Sequence, residues 1–110
     1  LFMDKMDNDQ ENLDLLIKIN KGVKSQRKLS DELGYSLGKL NYCLKALKYK
    51  GLIKIKNFRN NENKLNYMYI LTPKGVSKKS KLALKFMQRK MKEYDELKNE
   101  IKNTKSNKQK

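Results

Sequence analysis

The chain has no histidine, no tryptophan and a single cysteine, and only one proline and five glycines among its 110 residues. With one cysteine and no histidine, a single chain can form neither a disulfide framework nor a Cys/His zinc site. Apolar runs extend over a few residues only, far short of the roughly 20 residues that a membrane-spanning helix needs. The N-terminal segment is acidic and lacks the apolar region of a signal peptide. We therefore expect a cytoplasmic protein without a metal or a cofactor.

Acidic residues are scarce: 12 Asp and Glu stand against 27 Lys and Arg, which gives a net charge of +15. Residues 1–20 carry a net charge of −3, whereas residues 21–71 and 72–110 carry +9 each. A field of this sign attracts phosphate backbones and accelerates association with nucleic acid. An AT-rich genome would explain the preference for Lys and Asn, but it would not explain the deficit of acidic residues. The charge indicates duplex DNA as a partner.

Signatures of catalysis are also missing. The chain has no histidine to act as a base and no glycine-rich phosphate loop. Asp31 and Glu32 are neighbours in a predicted helix, so their carboxylates do not face one another. We expect that the protein is not an enzyme.

The spacing of apolar residues divides the chain into four parts. They are a flexible acidic N-terminus (1–11), a winged helix-turn-helix DNA-binding domain (12–72), a C-terminal dimerisation helix (73–103) and a disordered basic tail (104–110). The predicted fold class is mostly α with a small β-hairpin, which makes it α+β. The first helix is expected from about Gln10 to Lys21, where Gly22 ends it.

Two short helical patterns meet at Gly34-Tyr35-Ser36 and form the predicted helix-turn-helix. Ser25 is the expected N-cap of the first helix, which is about eight residues long, and Ser36 is the expected N-cap of the second. An apolar stripe at helical spacing should bury one face of the second helix. The stripe consists of Leu37, Leu40, Leu44 and Leu47.

The opposite face is the predicted DNA-reading surface, because the second helix of a helix-turn-helix enters the major groove. This recognition face comprises Ser36, Gly38, Lys39, Asn41, Tyr42 and Lys45. Its lysines can donate to guanine or to phosphate, Asn41 can pair with adenine, and Tyr42 can contact a thymine methyl group. A solvated helix face is the alternative for any single residue, and Tyr42 fits that alternative least well. Cys43, beside the stripe, is interpreted as a buried structural thiol, with a redox sensor as the alternative.

Gly51 ends this helix, and two alternating strands follow, joined by an Asn-rich, basic loop from Lys56 to Lys64. The candidate DNA contacts of this wing are Lys56, Asn57, Arg59, Asn60 and Lys64. An arginine among asparagines suits a narrow, A·T-rich minor groove, although an ordinary hydrophilic turn has the same composition. The N-terminus of the preceding short helix is a candidate phosphate site, because free N–H groups there bind anions. It comprises Ser25, Gln26, Arg27 and Lys28.

Thr72-Pro73 should begin a helix of about 30 residues that ends near Asn103. Its apolar seam consists of Leu84, Met87, Met91, Tyr94, Leu97 and Ile101. The distal half has nothing in the same chain to pack on, so we predict that two copies pair along this seam as in a coiled coil. The alternative is a helix folded back on its own domain. Met87 and Met91 could also line an effector pocket, but plain packing is the preferred interpretation.

The segment SLGKLNYCLKALKYKGLIKIKNFRNNENKLNYMYILTPKG resembles the winged helix-turn-helix of MarR-type regulators. Its NYCLKAL and KNFRN stretches are most similar to the EPS-associated MarR family transcriptional regulators, whose genes accompany exopolysaccharide loci. The resemblance spans roughly residues 12–103 and implies a homodimer that binds palindromic promoter DNA, usually as a repressor. It also implies a phosphate or minor-groove contact for Arg59. Few residues precede Leu13, where typical members carry a long dimerisation helix, so we expect dimerisation mainly through the C-terminal helix.

These observations predict a sequence-specific regulator of transcription that binds double-stranded DNA as a homodimer, and the resemblance implies exopolysaccharide genes as its targets. It would associate with the nucleoid when bound, and it would have no membrane partner. The sequence leaves a small-molecule effector open. The alternative function is a winged-helix protein–protein interaction module that binds an acidic partner.

Overall fold

The computed structural model describes residues 8–23, 25–59, 61–63 and 65–108, with side chains up to residue 105 except at 65 and 66. Within these residues the chain forms four helices and one antiparallel hairpin. The order is α1 (Asp9–Asn20), α2 (Gln26–Leu33), α3 (Leu37–Tyr49), β1 (Ile53–Arg59), β2 (Leu65–Leu71) and α4 (Pro73–Lys108). This arrangement confirms the predicted winged helix fold with a long C-terminal helix.

Leucines from the first three helices form the centre of the core. The side chains that are fully buried are Leu15, Leu16, Leu29, Leu40 and Leu47. The segment after α3 and the first half of α4 close this core, through Leu52, Ile53 and Leu82. The predicted stripe of α3 is wrong at Leu37, which is 55% exposed. The core ends at Leu40, one turn further into the helix, so Leu37 in the first turn remains in solvent.

Serine caps fix where α2 and α3 begin, as the sequence predicted. The hydroxyls of Ser25 and Ser36 each accept a hydrogen bond, at 3.1 Å, from the backbone N–H three residues further along. Each bond satisfies an N–H group that has no partner within the helix. Gly34, with φ of +72°, ends α2 in the left-handed region and donates its N–H to the Ser30 carbonyl. The turn between the two helices is therefore closed by local hydrogen bonds.

The hairpin is longer, and its loop shorter, than the sequence predicted. Seven residue pairs join β1 and β2, from Ile53 opposite Leu71 to Arg59 opposite Leu65. Lys56, Asn57 and Arg59 consequently lie on β1 and not in the loop, since cross-strand pairing prevails over the turn preference of asparagine. Asn60 and Lys64 lie outside the described residues. Asn63, with φ of 62°, supplies the left-handed residue of the turn.

The Thr-Pro-Lys-Gly segment joins the start of α4 to the residues that follow α3. The Thr72 N–H donates to the Leu52 carbonyl at 3.0 Å, and the Thr72 hydroxyl donates to the Gly51 carbonyl at 2.6 Å. The same hydroxyl accepts the Gly75 N–H at 3.0 Å, which confirms Thr72 as the predicted cap. A Cβ on Gly75 would lie 1.9 Å from the Leu52 oxygen, so only glycine permits this approach.

Helix α4 has 36 residues and is therefore about 54 Å long at about 1.5 Å per residue. Its first half packs on the core through Leu82 and the half-buried Phe86, whereas every described side chain from 87 to 105 is exposed. The helix passes the predicted end at Asn103, so residues 104–108 of the predicted disordered tail are helical. No glycine or proline follows Gly75 to stop it. Residues 109–110 lie outside the described part.

Helix α1 begins inside the segment that was predicted to be flexible. The Asn8 side chain caps it by accepting the Gln10 N–H at 2.8 Å, and Asp9 and Glu11 follow in the first turn. Acidic residues there interact favourably with the helix dipole, so residues 8–11 are ordered as a helix start. Residues 1–7 lie outside the described range.

Candidate nucleic-acid interface

The structure places all six residues of the predicted recognition face on the exposed side of α3 or at its cap. Ser36 caps the helix, and Gly38, Lys39, Asn41, Tyr42 and Lys45 are exposed. Tyr42 is 40% exposed although it is a large aromatic residue. The opposite side of α3 is buried from Leu40 to Leu47, so the face that this helix offers a partner is mainly polar and basic.

Tyr49 extends the recognition face by one helical turn, and the sequence reasoning missed it. Its side chain is 93% exposed at the last position of α3. It follows Tyr42 by seven residues and Lys45 by four, and these spacings place the three side chains on one side of a helix. The i, i+3, i+7 pattern was the signal that could have identified Tyr49. An exposed tyrosine here can contact a sugar, a phosphate or a thymine methyl group.

Lys39 is engaged within the domain. Its Nζ lies 2.6 Å from Oε1 of Glu11 on α1, and 4.4 Å from the ring centroid of Tyr35 in the turn between α2 and α3. The carboxylate of Glu11 therefore lies next to the basic face of α3. Burial, reinforced by Glu11, Asp14 and Cys43, raises the pKa of Tyr35 to about 12, so its phenol is neutral at physiological pH.

The predicted phosphate site at the start of α2 is partly occupied by internal contacts. The Ser25 hydroxyl is the helix cap, and Gln26 Nε2 donates to the Tyr69 hydroxyl on β2 at 2.8 Å. Arg27 and Lys28 are exposed. The Gln26–Tyr69 bond therefore links the start of α2 directly to β2 of the wing.

The described wing residues do not lie on one face of the hairpin. The sequence predicted that they cluster in a single loop. Asn57 and Arg59 lie on one side of β1 and Lys56 on the other, because successive strand residues alternate. All three are exposed. Arg59 Nη1 donates to the Asn63 carbonyl at 3.2 Å, which holds the guanidinium against the turn. Arg59 therefore lies together with the described turn residues Asn61, Glu62 and Asn63 at the tip of the hairpin.

The predicted seam of α4 forms a continuous apolar surface. Its six residues are between 51% and 65% exposed and follow one another at intervals of three or four. The described part of the helix does not fold back on its own domain, which was the alternative interpretation.

Other site types find little support within the described residues. No cluster of His, Cys, Asp or Glu there could hold a metal ion, and none of the described helices is long and apolar enough to cross a membrane. Cys43 is buried beside Leu40 and Leu44, as expected for a structural thiol.

Comparisons with known proteins place this geometry among winged helices. Residues 13–54 match the family model described as "Winged helix-turn-helix DNA-binding". Staphylococcus aureus MarR, solved with salicylate and kanamycin, is similar over 78% of this chain and 57% of its own, at 20% identity and a TM-score of 0.60. No curated protein matches the sequence.

Two similar structures contain DNA. Streptococcus pneumoniae FabT in complex with DNA is 22% identical over 78% of this chain and 58% of its own, with a TM-score of 0.53. Wild-type Lactococcus lactis ZitR in complex with DNA is 25% identical over 84% of this chain and 59% of its own, with a TM-score of 0.54. This chain thus spans less than two thirds of each of these relatives. It contains a winged helix-turn-helix domain and has the fold of the MarR regulators, with a long C-terminal helix.

Proposed function

We propose that this chain is a sequence-specific, double-stranded DNA-binding regulator of transcription that acts as a homodimer. The observation that carries the proposal is the exposed, basic face of α3, on a domain that matches a winged helix-turn-helix DNA-binding family. Proteins of the same fold, FabT and ZitR, have been solved with DNA.

The residue types on α3 give each position a task in the major groove. Asn41 offers the paired donor and acceptor that adenine requires, and Tyr42 offers a ring edge to a thymine methyl group. Lys45, one turn further along and exposed, is suited to a phosphate or to guanine. Arg59, at the tip of the hairpin, would contact the neighbouring minor groove or the phosphates beside it. Arg27 and Lys28 would contact backbone phosphates near the start of α2.

The apolar seam of α4 supports the homodimer. Beyond Phe86 the helix exposes apolar side chains at coiled-coil spacing and has no described element to bury them. A second copy offers an identical seam, and pairing by a two-fold axis buries both. Two recognition helices would then reach half-sites about 34–36 Å apart, or a multiple of that distance, on an inverted repeat.

Repression is the proposed mode of action, and exopolysaccharide genes are the proposed targets. Both rest on the sequence resemblance to the EPS-associated subgroup. The protein would then act in the cytoplasm, bound to the nucleoid.

Selection of a random duplex library by the purified protein tests the proposal, at about 150 mM salt so that non-specific phosphate binding is suppressed. We expect an enriched inverted repeat. Asn41→Ala should change the preferred bases, whereas Lys102→Ala, on the exposed distal part of α4, should leave them unchanged. If no consensus is recovered, sequence-specific regulation is excluded, and binding of an acidic protein partner becomes the favoured function.

A further inference from the structure

The ion pair between Glu11 and Lys39 lies where DNA would be read. Lys39 is the third residue of α3, and the N-terminal turn of a recognition helix is the part that meets base edges. Its ammonium is 2.6 Å from the Glu11 carboxylate and lies over the Tyr35 ring. An anionic group of this domain therefore occupies the position at Lys39 that a DNA acceptor would take.

Glu11 is the fixed member of this pair. It lies in the first turn of α1, which is capped by Asn8 and joined to α4 by the Asp9–Lys85 pair at 2.8 Å. Its side chain is 28% exposed, whereas that of Lys39 is 44% exposed. A lysine on a flexible stem at the more exposed position can move to another acceptor without displacing a helix.

We propose that Glu11 is a specificity-determining residue for DNA, because its carboxylate competes with DNA acceptors for Lys39. The inference rests on the proposed DNA-binding function. A single phosphate attracts the Lys39 ammonium little more strongly than the Glu11 carboxylate does. On most duplexes the Glu11–Lys39 pair therefore persists, and one phosphate contact is lost. Guanine O6 and N7 are neutral, so the Glu11 carboxylate does not repel them as it repels a phosphate, and the three N–H donors of the ammonium can reach these acceptors together with the carboxylate. Glu11 thereby lowers affinity for non-specific duplexes more than affinity for the preferred site.

The test is Glu11→Gln, which removes the charge and preserves the shape. Its affinity for a duplex of unrelated sequence should rise roughly two- to fivefold, the range expected for an exposed ion pair. The slope of log K against log salt should become steeper by about one, because Lys39 is then free to neutralise a phosphate. Affinity for the selected site should rise less, so the ratio of specific to non-specific affinity should fall.

Two controls isolate the pair. Glu100→Gln makes the same change in net charge on the exposed distal part of α4 and should leave the ratio unchanged. In a Lys39→Ala background, Glu11→Gln should have no further effect on the ratio or on the slope. Thermal unfolding of each variant, followed by circular dichroism, shows whether the domain is folded.

The outcomes separate this inference from the function on which it rests. The role of Glu11 is refuted, while DNA binding stands, if folded Glu11→Gln changes neither the salt slope nor the ratio of specific to non-specific affinity. It is equally refuted if Glu11→Gln has the same effect in the Lys39→Ala background, or if Glu100→Gln has the same effect as Glu11→Gln. If the wild-type protein prefers no duplex sequence, both the proposed function and this inference are overturned.

Discussion

Replacing Gly75 with alanine should loosen the joint between α4 and the winged domain. A Cβ at this position would lie 1.9 Å from the Leu52 carbonyl oxygen and 2.9 Å from its carbonyl carbon. Both are backbone atoms of a buried residue, so neither can rotate aside as the end of a side chain could. The start of α4 must therefore move until the 1.9 Å separation exceeds about 3.0 Å.

The expected change in the free energy of unfolding is the sum of one stabilising and two destabilising contributions. Alanine in a helix is ordinarily more favourable than glycine by about 1 kcal/mol. Overpacking a close contact costs about 1–3 kcal/mol. The movement would also strain the two hydrogen bonds that Thr72 donates to Gly51 and Leu52, which contribute about 0.5–1.5 kcal/mol each. We expect the free energy of unfolding to fall by about 2–4 kcal/mol in Gly75→Ala. Urea unfolding followed by far-ultraviolet circular dichroism measures it, at one protein concentration because dimerisation would couple stability to concentration.

Gly38 provides the matched control. It lies in the first turn of α3, its φ is not in the left-handed region, and a Cβ there would meet no atom within 4 Å. Gly38→Ala should therefore stabilise the protein by about 0.5–1 kcal/mol through the ordinary helix preference. If Gly75→Ala proves as stable as the wild type, or gains stability as Gly38→Ala does, the close approach to Leu52 is wrong.

Three further predictions concern the recognition face of α3, the apolar seam of α4, and Tyr35 in the turn between α2 and α3. Lys45→Ala should weaken binding to every duplex and make the salt slope shallower by about one; an unchanged slope in a salt titration removes Lys45 from the phosphate contacts. Leu97→Asp should shift the protein from dimer to monomer in sedimentation, whereas Asn99→Asp, on the other side of α4, should not; equal behaviour contradicts the seam. The titration of Tyr35 is obtained by subtracting the tyrosinate absorbance of Tyr35→Phe from that of the wild type. Its midpoint should lie near pH 12 in the folded protein and near pH 10 in urea. Because the unfolded chain loses the Tyr35 proton at a lower pH than the folded protein does, the contribution of Tyr35 to the free energy of unfolding should fall between pH 10 and about pH 12. Tyr35→Phe should not show this fall. A midpoint near pH 10 in the folded protein refutes the raised pKa.

The starts of α2, α3 and α4 were predictable because their signals are local. Ser25, Ser36 and Thr72 each cap a helix through an N–H three residues further along, so the signal lies within one turn of the chain. The ends were less predictable where no glycine or proline marks them. Helix α4 accordingly continues through residues that were interpreted as a tail, because nothing in its sequence stops it.

The composition of the recognition face was predictable, but its internal contacts were not. Helical spacing alone places Lys39, Asn41 and Lys45 opposite the buried leucines. The partner of Lys39 is 28 residues away in sequence, and Gln26 and Tyr69 are 43 residues apart. In a chain with 27 basic residues, no sequence pattern indicates which one a given carboxylate will meet. Such pairings depend on how α1 and the hairpin pack, which the tertiary structure decides.

The relation between α3 and α4 is determined by apolar packing rather than by charge. Helix α1 contacts α4, and two ion pairs join its first turn to α3 and to α4. Exposed ion pairs of this kind contribute about 0.2–1 kcal/mol each, whereas truncating a buried leucine costs about 2–5 kcal/mol. Leu82, which is 3% exposed where α4 meets the core, therefore does more to fix the angle of α4 than Asp9 or Glu11. In the proposed dimer, the half-site spacing would accordingly depend on the packing around Leu82, while Glu11 would adjust which acceptors Lys39 can reach.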